Sequence, residues 1–129
     1  MMERRAHPRL PKGYRLRLRE LAFPPSGPWH PGRCRDVSAS GLAVEVPLPL
    51  AAGSLVEIRL HVPRLNLHHP GFFKAMENVL DQNLCAVARV VRYQYLGRSY
   101  LLALTFTSLD PDDACAWERL LERLRRTMC

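Results

Sequence analysis

Asp36-Val37-Ser38-Ala39-Ser40-Gly41 places a carboxylate, two hydroxyls and a glycine inside a stretch, RCRDVSASGLAVEV, that otherwise reads as the start of a buried strand. At strand spacing Asp36, Ser38 and Ser40 point the same way until Gly41 ends or kinks the run. A carboxylate accepts hydrogen bonds from base or amide N–H groups. Hydroxyls donate to phosphate or base edges, and a glycine lets a ligand approach the backbone closely. The same residues equally suit an Asx or Ser turn between two strands, so the segment alone leaves both readings open.

A second cluster lies near the start, in Glu3-Arg4-Arg5-Ala6-His7-Pro8-Arg9. Arg4, Arg5 and Arg9 sit on a proline-punctuated arm rather than on a helix, which frees their guanidinium forks to close over a planar anion. Those forks match phosphate oxygens and the O6/N7 edge of guanine, the latter pairing worth ~1–3 kcal/mol of discrimination. A solvated basic tail is the alternative for the arm taken by itself. Between Met1 and Arg19 seven basic residues face the single acid Glu3, so this segment holds six of the seven net positive charges. The rest of the chain is nearly balanced, and the basic character is local.

Catalytic and metal chemistry find little support. Ser38 and Ser40 stand in S-A-S-G rather than in a G-x-S-x-G elbow. His68 and His69 are adjacent, which points their rings apart, and the five histidines form no H-x-x-x-H pair. No paired carboxylates stand out. The reading is a non-enzyme with no cofactor and no metal. Cys34, Cys85, Cys115 and Cys129 are widely spaced with no C-x-x-C pair. The charged N-terminus has no apolar run behind it, and no stretch of 18 apolar residues occurs. These features predict reduced thiols, no membrane span and a cytoplasmic location.

The elements that must position these groups are mostly strands. A chain of 129 residues with 47% hydrophobic residues is most simply one domain over 1–129. In YRLRLRELAF, Tyr14, Leu16 and Leu18 alternate with Arg15, Arg17 and Arg19, the period of a half-buried strand. PPSGPWHPG is a turn-rich connection. A second strand rises through Cys34 to Asp36, LAVEV forms a third, and in SLVEIRLHV the residues Val56, Ile58, Leu60 and Val62 share one face. LCAVARVVRYQY and SYLLALTFTSL follow, joined at LGRS by a tight hairpin. Six strands spaced by Gly and Pro signals predict an antiparallel barrel or sandwich, and a barrel removes open edges.

Asp110-Pro111-Asp112-Asp113 supplies an N-cap, a proline at the first helical position and first-turn acids. Ala114, Trp117, Leu121, Leu124 and Met128 then fall on one side of an amphipathic helix over 110–128. Between these elements the segment 63–83 is too long for a hairpin loop. Phe72, Met76 and Val79 at i, i+4, i+7 predict a short helix there. Phe72, Phe73, Met76 and Leu80 either cover one end of the barrel or form an exposed apolar patch, in which case a homodimer or partner interface is expected.

Arg5-x-x-x-Arg9 followed by Asp36-x-Ser38-x-x-Gly41, in this order and at about this separation, resembles the PilZ domain family. The likeness in plan covers nearly the whole chain apart from the insertion between Pro63 and Asn83, with residues 1–13 as a flexible basic arm. The resemblance implies a mainly β fold: a six-stranded antiparallel β-barrel with a C-terminal amphipathic α-helix that binds the bacterial second messenger cyclic di-GMP. It implies that Arg4, Arg5, Arg9, Asp36, Ser38, Ser40 and Gly41 form the ligand site, with the arginines on guanine edges and phosphates. Arg4 extends the motif to R-R-x-x-x-R, a form that in the family can accompany a stacked ligand dimer, which leaves the stoichiometry open. Ligand is then expected to order the arm across the barrel, creating a surface for a downstream protein partner.

Two rivals belong to other classes. One is a basic module binding nucleic acid through the arm and Arg15, Arg17 and Arg19. With aromatic residues at 8% and none interleaved on the basic strand, stacking platforms for single strands are missing and nucleic acid is disfavoured. The other is a PilZ-like interaction module acting without nucleotide, for which intact motifs are not needed.

Overall fold

The computed structural model describes residues 10–22, 24, 27–63, 65 and 83–128, with side chains to 126. Among them the chain forms β1 (Leu10–Pro11), β2 (Arg15–Glu20), β3 (His30–Val37), β4 (Gly41–Val46), β5 (Leu55–His61), β6 (Asn83–Tyr95), β7 (Tyr100–Leu109) and α1 (Pro111–Met128). The arm with Arg4, Arg5 and Arg9, and nearly all of the 63–83 segment with its expected helix, lie outside the described residues.

The alternation read from the sequence becomes the inside and outside of a barrel. Strand order is β1-β3-β2-β5-β6-β7-β4, every pair is antiparallel, and β3 also pairs with β4. The six strands β3, β2, β5, β6, β7 and β4 therefore close on themselves, and no long edge is left unpaired. Leu16, Leu18, Val44, Val56, Ile58, Leu60, Leu84, Val90, Leu102 and Leu104 turn inward and are buried. Each such side chain contributes roughly 1.5–3 kcal/mol relative to exposure, which is why the one-residue register of every strand is strongly specified.

Closure depends on β3 serving two neighbours. Its first half pairs with β2 (Arg15 opposite Arg33, Leu16 opposite Gly32), and its second half with β4 (Val37 opposite Leu42) through a bulge between Cys34 and Asp36. β1 adds to the same side as β2, with Pro11 opposite Asp36. At the far end of β6 and β7 the hairpin turns at Gly97, whose φ of 99° suits glycine, and Leu96 N–H donates to Ser99 O at 2.9 Å.

α1 begins as its sequence predicts. Asp110 Oδ1 accepts from the N–H of Asp112 at 2.9 Å and of Asp113 at 3.3 Å, satisfying donors that the first turn cannot pair internally. Ala116, Trp117, Leu120 and Leu121 join the barrel's own core cluster, with Leu124 packed at its margin. Ala116 and Leu120 widen the stripe expected from the sequence, because a helix seated on a curved barrel buries more than one row. No helix among the described residues is long and apolar enough to cross a membrane.

Cys34, Cys85 and Cys115 are free thiols. Burial, and secondarily the charge of Asp36, pushes the Cys34 thiol up to about 12. Since thiolate is the reactive form, a disulfide reagent at pH 8 is expected to label exposed Cys85 at once and Cys34 only at the rate of unfolding. Rapid labelling of Cys34 in the native protein, read by peptide mapping, would contradict its placement.

Candidate functional site

The segment that opened the sequence reading resolves into a turn with a surface beside it. β3 ends at Val37, and Ser38 is 2% exposed. The strand spacing that put Asp36, Ser38 and Ser40 on one face does not persist, because the strand ends at Val37 and the chain turns from Ser38 onward: Asp36 is half-buried, Ser38 buried and Ser40 exposed. Ser38 Oγ accepts from Gly41 N–H at 3.2 Å and lies 3.3 Å from both Gly41 O and Ser40 Oγ. Ser38 N–H donates to Gly41 O at 2.9 Å. The hydroxyl is thus spent on closing the turn, which is the Ser-turn alternative.

Gly41 has an equally local reason. A Cβ at this position would stand 2.0 Å from Leu104 O and 3.2 Å from Thr105 Cα, so only glycine lets β4 approach β7 here. Helix α1 reaches the same turn, where the buried Trp117 Nε1–H donates to Ser38 O at 3.0 Å. Turn, β7 and helix therefore form one connected unit that fixes the direction in which Asp36 leaves β3.

Asp36 begins a row that crosses four strands. It lies opposite Ala43 on β4, Ala43 opposite Ala103 on β7, and Ala103 opposite Arg92 on β6. The two alanines leave a shallow floor between a carboxylate and a guanidinium, and the row lines a concave site of about 340 Å³ with Gln94 and Leu101. A low floor with an acceptor at one edge and a five-donor fork at the other suits a flat, hydrogen-bonding ring. Sequence reading did not find Ala43, Ala103 or Arg92. Their membership depends on the register of four strands, for which the chain carries no one-dimensional signal.

The arm's point of departure is known even though the arm is not described. Leu10 lies opposite Val37 and Pro11 opposite Asp36, so the residue that follows Arg9 is already paired beside the turn. The described chain therefore starts, at Leu10, at the end of β3 that carries Asp36. Of the other arginines, Arg19 ion-pairs with Glu57 and lies 4.4 Å from the Trp29 ring centroid. Arg35 pairs with Glu45 at 3.1 Å. The basic strand is consequently not a uniform stripe of free guanidiniums. Among the described residues no cluster of His, Cys, Asp and Glu is arranged to hold a metal ion.

Comparison with known proteins agrees with this architecture. The family model described as PilZ domain matches residues 3–125. The fold is shared with the Bacillus subtilis inhibitor of motility MotI/DgrA, at a TM-score of 0.73 and 15% identity over 98% of this chain and 53% of that one. It is shared with the PilZ domain of Escherichia coli YcgR, solved with c-di-GMP, at 0.62 and 15% over 98% and 95%. The K. pneumonia MrkH–c-di-GMP complex matches at 0.66 and 16% over 98% and 54%. This chain thus spans about half the length of MotI/DgrA and of MrkH. No curated protein matches it in sequence.

Proposed function

Because the chain belongs to the PilZ domain family, we propose that it is a cyclic di-GMP receptor whose site joins the Arg4, Arg5 and Arg9 arm to the surface between Asp36 and Arg92. The observation that carries this reading is the cross-strand row Asp36, Ala43, Ala103 and Arg92, beside which the arm enters the fold. A guanine laid on the two alanines offers N–H groups to the Asp36 carboxylate and acceptors to the Arg92 fork, while the arm's guanidiniums cover the phosphates. Ser40 adds an exposed hydroxyl at the turn. Ser38 and Gly41 act by holding the turn in place.

The reading is of a binding module rather than an enzyme, acting in the cytoplasm through a separate protein. Ligand orders the arm, and the ordered arm is the surface that the partner meets. Charge-assisted hydrogen bonds contribute about 1.5–3 kcal/mol each, and a few of them, less the cost of ordering the arm, leave an affinity near −8 kcal/mol, or about micromolar.

Calorimetric titration with cyclic di-GMP, beside a linear dinucleotide, tests this directly. Saturable binding selective for the cyclic ligand is expected, weakened about tenfold by Asp36→Ala and about a hundredfold by Arg5→Ala/Arg9→Ala, from the loss of one and two such contacts. The isotherm's stoichiometry states whether Arg4 accompanies one ligand or a stacked pair. A folded sample that does not bind would overturn the receptor reading and leave the nucleotide-independent interaction module in its place.

A further inference from the structure

A second concavity, of about 680 Å³, shares no lining residue with the Asp36 site and has the ion-paired Glu45 in its wall. Arg15, Arg17, Arg33, Arg59 and Arg98 line it, and Glu45 is the one carboxylate to do so among the described residues. That carboxylate is already engaged by Arg35 at 3.1 Å. The cleft is therefore strongly positive, and its volume lies in the range of small-molecule sites, roughly 300–1,000 Å³.

The strand register makes this charge unusual. Arg15 lies directly opposite Arg33 on β3, and Arg17 directly opposite Arg59 on β5. Opposed residues bring their Cβ atoms to about 4.5–5.5 Å, and like charges so placed are destabilising. Two residues along β2 the fold does the reverse, setting Arg19 opposite Glu57 with an ion pair between them. Arg59 is also braced, its guanidinium 4.7 Å from the Trp29 ring centroid. Arg33 also lies opposite Glu45 on β4, but that carboxylate is shared with Arg35, so the four opposed guanidiniums face one shared carboxylate in the cleft, an excess that makes sense when an anion bridges them.

We propose that this cleft binds a small molecule carrying two or more phosphate groups, at a site separate from the Asp36 row and independent of the cyclic di-GMP reading. Guanidinium forks match phosphate oxygens in pairs, and four of them at two cross-strand positions fit a chain of phosphates better than a single carboxylate. Exposed Pro31 and Pro47 supply apolar surface for the rest of the molecule. An open recess of this limited size matches the span of a small ligand, whereas the extended backbone of a nucleic acid would need a longer track of cations.

Calorimetry at low ionic strength with inorganic triphosphate and with ATP tests the assignment, on wild type, Arg15→Gln/Arg17→Gln and Asp36→Ala, with the unliganded Tm of each. Saturable binding of either probe by wild type is expected, weakened about tenfold or more in the arginine double variant and unchanged in Asp36→Ala. The double variant's Tm should equal or exceed the wild-type value, because removing opposed like charges relieves repulsion. Absence of saturation with both probes overturns the proposal, as does equal affinity in the double variant or a lowered Tm. Loss of binding in Asp36→Ala would merge the two sites, and tighter binding of single-stranded RNA than of either probe would reassign the cleft to nucleic acid.

Discussion

Gly41→Ala is expected to cost about 4 kcal/mol or more and to lower Tm by roughly 12–20 °C. The added methyl would stand 2.0 Å from Leu104 O and 3.0 Å from Leu104 C, far inside contact distance, and its neighbour is backbone that cannot swing away. Relief requires β4 and β7 to separate where Gly41 lies opposite Thr105. That movement also strains the bond from Phe106 N–H to Ser40 O, 2.9 Å long. Thermal unfolding followed by circular dichroism measures the effect. A variant that melts with wild type but fails to bind cyclic di-GMP would show that the glycine serves the ligand and not the sheet.

Trp117→Ala should cost about 4–8 kcal/mol for a different reason. The side chain is fully buried at 0% exposure within the barrel's core cluster, and truncating a buried tryptophan leaves a cavity at about 3–5 kcal/mol. The change also removes the donor to Ser38 O, leaving an acceptor without its partner at about 1–3 kcal/mol. Trp117→Phe separates the two contributions, since it keeps most of the apolar volume and loses only the N–H. It is expected to fall by about 1–2 kcal/mol in denaturant unfolding. If the Phe variant were as damaging as the Ala variant, the hydrogen bond to the turn would outweigh the packing.

Both predictions concern residues with more than one duty. Gly41 and Ser38 were expected under a ligand, and each has a sufficient structural reason to be what it is. Trp117 was expected on a helix stripe, and it also anchors the turn from which the site is built. Under the proposed function recognition and architecture share the same few residues, because the turn that aims Asp36 is the place where β3, β4, β7 and α1 meet.

Local chemistry made much of the fold legible. Leu16 and Leu18 between arginines, or Val56, Ile58 and Leu60 between Glu57 and Arg59, state their own inside and outside, since a strand alternates whatever it pairs with. The N-cap at Asp110 and the glycine of the β6–β7 hairpin are likewise determined by neighbours within a few positions. The motif pair was legible in the same way, as residue types at fixed short spacing. What lay beyond reach was every feature that depends on register between distant strands. Nothing in the chain's local pattern says that Ala43 and Ala103 form one floor between Asp36 and Arg92, that Arg17 faces Arg59, or that a helix indole caps the turn of residue 38. Those juxtapositions are decided when six strands close into a barrel, because closure fixes all the registers together through the packing of one shared core.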